Sequence, residues 1–254
     1  MEIFCKTDIG LVRSNNQDAF RYQKISDDCG WVVVCDGMGG ANGGNVASAV
    51  AVDVIAEFFE NKLSDIDDEH IHFYISNALN EANKRIYEQS KKDSQLSGMG
   101  TTAVVAVIKN SVAHIAHVGD SRAYLFSTGD VKRLTLDHSF VQEMVNRGEI
   151  TEEQARLHPN RNYITRVLGV DKQVKEDYTE IPFLKNEIIL LCTDGLSNYY
   201  DADSLNNIIN NCSCNVLADK LIESANMQGG SDNITVAVIC SNNDNYLNRS
   251  ASNG

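Results

Sequence analysis

The chain alternates between short apolar runs of strand length and longer stretches in which apolar residues recur every three or four positions. Trp31-Val32-Val33-Val34-Cys35 is a continuous apolar run of strand length. It runs into Asp36–Gly44, which is too glycine-rich to be expected as helix and reads as a loop, with Asn45 placed to cap the next helix. There Val46, Val50, Val54 and Phe58 form one i,i+4 row, and Ala47, Ala51, Ile55 and Phe59 the next. A stripe that wide suits a helix covering a sheet. A second helix is expected from about Ile71 to Lys91, with Ile75, Leu79, Ala82 and Ile86 on its apolar side.

The middle of the chain changes period. Thr102–Ile108, Val112–Val118, Ala123–Phe126 and Val131–Leu134 read as short strands. The turns between them are too brief to hold a helix, so an antiparallel meander is expected and a doubly wound nucleotide fold is not. From Asp137 to Gly169 the pattern becomes short polar helices, one marked by Phe140, Val141, Met144 and Val145 and another opened by a Thr151–Gln154 capping box. Strands are expected near Val174–Ile181 and Glu187–Cys192, helices near Leu205–Asn211 and Val216–Met227, and a last strand at Asn233–Cys240. The Asn- and Ser-rich tail, 241–254, is expected to be frayed.

Composition narrows the class. The 254 residues carry a net charge of −13, which argues against nucleic-acid or anionic-membrane partners. No apolar run approaches the ~20 residues of a membrane span. The opening Met1-Glu2-Ile3-Phe4-Cys5-Lys6 lacks the features of a secretory signal, so a cytoplasmic location is expected. Seven cysteines without framework spacing read as thiols. Cys35, Cys192 and Cys240 lie in apolar runs as small buried hydrophobes, and the close pair Cys212 and Cys214 lacks the partners of a zinc site.

Four aspartates stand at strand ends: Asp36, Asp120, Asp194 and Asp232. One Asp-Gly pair is ordinary turn chemistry. Four such ends converging on one spot would repel unless a cation neutralised them, and an oxygen-only set suits Mg²⁺ or Mn²⁺. Of the histidines, His114 and His117 fall on opposite faces of one strand, while His138 is the best placed for a pH-sensitive contact.

Six blocks then stand in order: Arg13-Ser14-Asn15-Asn16-Gln17-Asp18, Asp36-Gly37-Met38-Gly39-Gly40, Gly98-Met99-Gly100-Thr101-Thr102, Val118-Gly119-Asp120-Ser121-Arg122, Thr193-Asp194-Gly195 and Ser231-Asp232-Asn233. Together, over roughly residues 1–240, they resemble the metal-dependent protein serine/threonine phosphatases of the protein phosphatase 2C type. Asp137-His138-Ser139 and the run Arg161–Gly169, which includes Arg166, resemble the flap of the bacterial single-domain branch. The resemblance implies an α+β fold, an α/β/β/α sandwich of two antiparallel sheets flanked by helices. One catalytic domain (1–240) would carry a helical flap at about 137–169.

Carried over by position, the resemblance implies that Asp36 bridges two Mn²⁺ or Mg²⁺ ions and that Gly37 ligates one through its carbonyl. Asp194 and Asp232 would hold the other ion, Asp18 would bind metal waters, and Asp120 would serve a third, weaker ion. Arg13 would grip the substrate phosphate, a task that its planar fork suits. The simpler alternative makes Arg13 a surface partner of Asp8 or Asp18. Two departures bear on the proton donor: Met38 and Ala41 stand where animal and bacterial members, respectively, often carry histidine, and a metal-bound water could take that role. Asn45 stands where glutamate is frequent.

The expected activity is hydrolysis of phosphoserine and phosphothreonine in proteins without a covalent intermediate, by a monomer opposing a Ser/Thr kinase. A nonenzymatic regulatory module predicts a missing metal ligand, and none is missing. A two-metal phosphodiesterase or nuclease is disfavoured by the acidic charge.

Overall fold

Both faces of most strands are buried, which explains the continuous apolar runs. Trp31, Val33 and Cys35 pack outward under helices, while Val32 and Val34 point into the space between two sheets. The computed structural model describes residues 1–60 and 62–241, with the side chains of 40–42 outside the description. The tail beyond Ser241, expected to be frayed, also lies outside the described residues.

The first part of the chain forms β1 (Glu2–Asp8), β2 (Asp18–Lys24), β3 (Cys29–Met38), α1 (Gly40–Phe59), α2 (Ile71–Lys92) and β4 (Gly100–Thr101). Then come β5 (Ala103–Lys109), β6 (Val112–Val118), β7 (Arg122–Ser127), β8 (Asp130–Arg133), α3 (Phe140–Asn146) and α4 (Glu152–Leu157). The last part forms β9 (Asp177–Pro182), β10 (Ile188–Cys192), α5 (Asp194–Ser197), α6 (Ala202–Asn210), α7 (Cys214–Met227) and β11 (Ile234–Cys240). One sheet has the order β1-β11-β10-β7-β8 and the other β2-β3-β5-β6-β9, with β4 paired to β3. All these pairings are antiparallel.

Three apolar layers hold this together. Helices α1 and α2 cover the second sheet through Ala47, Ala51, Ile55, Phe59, Ile75, Leu79 and Ile86. Helices α5, α6 and α7 cover the first through Leu196, Leu205, Leu217 and Leu221. Val104, Ile115, Leu191 and Ile239 fill the space between the sheets. The α/β/β/α sandwich is therefore the observed fold.

Four local expectations are corrected. Helix α1 begins at Gly40, with Gly39 at its cap position, and not after Asn45. Glycine is needed where the helix meets β3: a Cβ on Gly37 would lie 2.1 Å from the Gly44 carbonyl oxygen, and one on Gly44 2.7 Å from that of Gly37, so α1 can settle on β3 only with glycine at both positions. The meander is two hairpins in different sheets, because the chain leaves β6 and crosses to β7 through Gly119-Asp120-Ser121. Period-two alternation marks a strand but not the sheet it joins. Strand β9 begins later than expected, at Asp177. Finally, Cys214 and Cys240 form a disulfide across a sequence separation of 26. Helix α7 packs back along β11, which brings the first residue of one to the last residue of the other.

Candidate active site

Strand register alone brings the aspartates together. Asp18, the first residue of β2, lies opposite Asp36 near the end of β3. The β5–β6 pairing places the end of β6, and so Asp120 just beyond it, at the same edge. In the facing sheet Cys192 at the end of β10 pairs with Val236 and with Arg122, which sets Asp194, Asp232 and the Asp120 crossover side by side.

A web of hydroxyl and amide bonds fixes the backbone beneath them. Thr102 Oγ1 accepts the Asp36 N–H at 2.9 Å, and Thr101 Oγ1 donates to the Asp36 carbonyl at 2.9 Å. Thr193 Oγ1 donates to Asp18 Oδ2 at 2.9 Å and accepts the Thr235 N–H at 2.9 Å, stitching the two sheets. Asn233 holds the Arg13 loop: its Nδ2 donates to the carbonyls of Ile9 and Asn15, and its Oδ1 accepts the Gln17 N–H at 2.9 Å. Thr102, Thr193 and Asn233 stand in the recurring blocks of the sequence, but only the geometry shows what they hold.

The cluster is electrostatically costly when empty. Burial, followed by repulsion from Asp18, Asp194, Asp120 and Asp232, pushes the Asp36 carboxyl well above the usual carboxylate range. Burial, then Asp194 and Asp137, does the same to Asp120. Burial, then Asp232, raises Asp194. Asp18 is pushed up to about 7, chiefly by burial, although the hydroxyls of Thr235 and Thr193 pull the other way.

Buried oxygens Asp18 Oδ1, Asp120 Oδ1 and Asp194 Oδ1 have no hydrogen-bond partner. Unpaired, buried, oxygen-only donors of one charge sign fit a hard divalent cation. Arg13, half-exposed, reaches into the cluster and donates from Nη2 to Asp232 Oδ2 at 2.7 Å. Its expected alternative partners were Asp8 and Asp18; the structure gives it Asp232 instead.

The residues expected to form a flap sit to one side. Asp137 accepts from Arg122 Nη2 at 2.7 Å and also pairs with Arg133. Burial opposes its charge, yet the two guanidinium groups hold the carboxyl below its usual range. Arg166 Nη1 lies 2.8 Å from Asp177 Oδ1 and 2.9 Å from His138 Nε2. Arg161 lines a cavity of about 400 Å³ between α3, α4 and the Asp120–Asp194 wall.

His117, His138 and Asp177 form a second group of possible ligand atoms within 4.8 Å of one another. It is a poor cation site. The imidazoles stack with centroids 4.5 Å apart and planes 10° apart, so their lone pairs lie in parallel planes that do not meet at one ion. The Arg166 guanidinium also stands against the group, with Nη1 2.9 Å from His138 Nε2 and 2.8 Å from Asp177 Oδ1, so a second positive charge there would be repelled.

The protein phosphatase 2C family profile matches residues 12–228. The chain belongs to that family, the metal-dependent protein serine/threonine phosphatases. It is 37% identical over 235 residues to the serine/threonine phosphatase stp of Listeria welshimeri, which covers 92% of this chain and 93% of that protein. Among solved structures, Stp1 from Staphylococcus aureus is similar with a TM-score of 0.89 and 32% identity, covering 95% of each chain. The catalytic domain of the phosphatase PstP in complex with two manganese ions aligns with a TM-score of 0.82 and 30% identity, over 93% of this chain and 96% of that one. Among the described residues, no helix is long and apolar enough to cross a membrane.

Proposed function

We propose that the chain dephosphorylates phosphoserine and phosphothreonine in proteins at the Asp36 cluster, by direct attack of water and with no covalent intermediate. The observation that carries this reading is the convergence of buried, partnerless carboxylate oxygens beside one arginine fork. Asp36, the Gly37 carbonyl, Asp194 and Asp232 would hold two Mn²⁺ or Mg²⁺ ions, with Asp18 orienting their waters and Asp120 serving a third, weaker ion. When bound, such ions supply Lewis-acid charge and a water of lowered pKa. Arg13 takes the substrate phosphate, which competes with Asp232 for the same guanidinium. The names of the Listeria and Staphylococcus relatives support the serine/threonine preference.

Residues 1–240 act as one catalytic domain with a flap at 137–169, in a cytoplasmic monomer opposing a Ser/Thr kinase. The test is hydrolysis of p-nitrophenyl phosphate with Mn²⁺, with and without chelator, then of a phosphothreonine peptide and of single-stranded DNA. Loss of activity on chelation and a preference for the phosphopeptide support the reading. Activity surviving complete chelation, or cleavage of DNA but not phosphopeptide, overturns it.

The geometry sets two finer outcomes. Asp120→Ala should leave the two tight ions in place while slowing turnover by at least about tenfold, since only the weaker ion's charge is withdrawn. Calorimetry showing the tight sites gone would contradict this assignment. The flap presents Leu157 and Tyr163 at 84% and 65% exposure beside the Arg161 cavity. Exchanging both for serine should lower kcat/KM on a phosphopeptide by about 3–10-fold, the scale of a lost apolar contact, and leave p-nitrophenyl phosphate kinetics nearly unchanged. Equal losses on both substrates would mean that the flap supports the metal cluster itself.

A further inference from the structure

The crossover that carries Asp120 is short and has little ladder to hold it. Strand β6 ends at Val118 in one sheet and β7 begins at Arg122 in the other. Gly119 takes a left-handed φ of +108°, and a Cβ there would lie 2.6 Å from Thr102 Cγ2. A single flap residue grips both main-chain polar groups of this glycine. The Gly119 N–H donates to His138 Nδ1 at 3.0 Å, and the His138 N–H donates to the Gly119 carbonyl at 2.9 Å. These two groups belong to the two peptide units on either side of the Gly119 Cα, and the second unit leads directly into Asp120.

The imidazole is well placed to do this. It is buried, and it stacks on His117, whose Nε2 meets the Leu136 carbonyl at 2.8 Å. Because Nδ1 accepts the Gly119 proton, the neutral ring must carry its own proton on Nε2, which faces Asp177 Oδ2 at 3.4 Å, while the two protons of the neighbouring Arg166 Nη1 go to the Lys175 carbonyl and Asp177 Oδ1. Burial, then His117 and Arg166, brings its pKa down to about 4, so the bare Nδ1 persists at neutral pH. The preceding residue works on the far side of the same crossover, where Asp137 holds the Arg122 side chain. Asp137 and His138 thus bracket Asp120 between them.

We propose that His138 is a positioning residue for Asp120, fixing the peptide units of Gly119 and thereby aiming the buried Asp120 carboxylate into the aspartate cluster. The inference rests on the reading of Asp120 as a ligand of the third, weaker ion. His138→Asn keeps an acceptor, because its Oδ1 falls near the place of Nδ1. His138→Phe keeps a ring that can stack, and His138→Leu keeps apolar bulk, but neither accepts a hydrogen bond.

Hydrogen exchange at the Gly119 amide in metal-free protein reads the clamp without reference to activity. Exchange should speed up about tenfold in the Phe and Leu variants, the scale of one lost hydrogen bond, and stay near wild type in the Asn variant. In Mn²⁺ titrations the weak ion should bind about tenfold less tightly to the Phe and Leu variants, with the two tight ions unchanged. Introduced into Asp120→Ala, His138→Phe should lower kcat no further. Unchanged Gly119 exchange in both acceptor-free variants, or equal loss in the Asn variant, overturns the proposal alone. Unchanged weak-ion binding in Asp120→Ala itself overturns the reading of Asp120, and the proposal with it.

Discussion

Asp36→Asn is expected to melt at the same temperature as wild type in chelator, or higher, and to lose its phosphatase activity by at least about 100-fold. The sign comes from crowding. In the ion-free protein Asp36 faces Asp18, Asp194, Asp120 and Asp232 in a buried setting, and removing its charge relieves that repulsion. A carboxyl whose pKa is raised in the folded chain stabilises it fully below the unfolded pKa, about 4. That contribution is lost as pH rises through the folded value, about 7 for Asp18. Ion-free wild type should therefore lose stability between roughly pH 4 and 7, and the variant should lose less over the same window. Added Mn²⁺ reverses the order. At an ion concentration 100 times Kd, wild type gains about 2.7 kcal/mol, or roughly 5–10 °C in Tm for a chain of this size, and the variant should gain much less. Two melting curves per protein decide. A variant destabilised in chelator that still shifts with Mn²⁺ as wild type does would make Asp36 an ordinary turn residue.

Gly37→Ala should be nearly as damaging, for a steric reason. The added methyl carbon would stand 2.1 Å from the Gly44 carbonyl oxygen and 2.6 Å from that of Gln17, both backbone atoms that no rotamer change can move aside. Either α1 lifts from β3 or the β2–β3 end opens, and each shifts Asp36. A loss of about 1–3 kcal/mol or more is expected, seen as a drop in Tm of roughly 3–10 °C in chelator. A displacement of about 1 Å in the cluster can lower turnover by about 100-fold. Gly129→Ala is the control. That hairpin glycine has a φ of +81° with open space around it, so only the left-handed backbone is penalised, by about 1–2 kcal/mol, and activity should hold. Wild-type melting and turnover in Gly37→Ala would show that the two backbones do not meet so closely.

Where the sequence was legible, the signal was burial on a regular period. Helix α2 follows its apolar stripe to within one residue of the expected end, and Trp31–Cys35 lies within the interior strand β3. Strands β1 and β2 escaped notice because each lies at an edge of its sheet and is only partly buried, so neither carries a long apolar run. The aspartates were legible as chemistry at strand ends, whereas their meeting depends on pairings far apart in the chain, such as Asp8 with Ile234. The Cys214–Cys240 link was hidden for the same reason, since each cysteine sits in a locally ordinary context. His138 was visible as a flap residue, yet its grip on Gly119 exists only once the crossover has folded beneath it.

The strand order has a further consequence, for how the protein comes into being on the ribosome. β11 is the last strand to be synthesised among the described residues, yet it occupies the slot between β1 and β10. Before it emerges, β1 lacks its neighbour in the sheet and β10 exposes an open edge, while the other sheet can already be complete. Two open edges of that kind invite pairing with other chains. Asp232 and Asn233 arrive with the same segment, and Asn233 tethers the loop that carries Arg13. Closure of the sheet and completion of the aspartate cluster are therefore one event, and on the proposed reading of Asp232 as a metal ligand a nascent chain is expected to stay catalytically silent until residues 232–240 have been made and inserted.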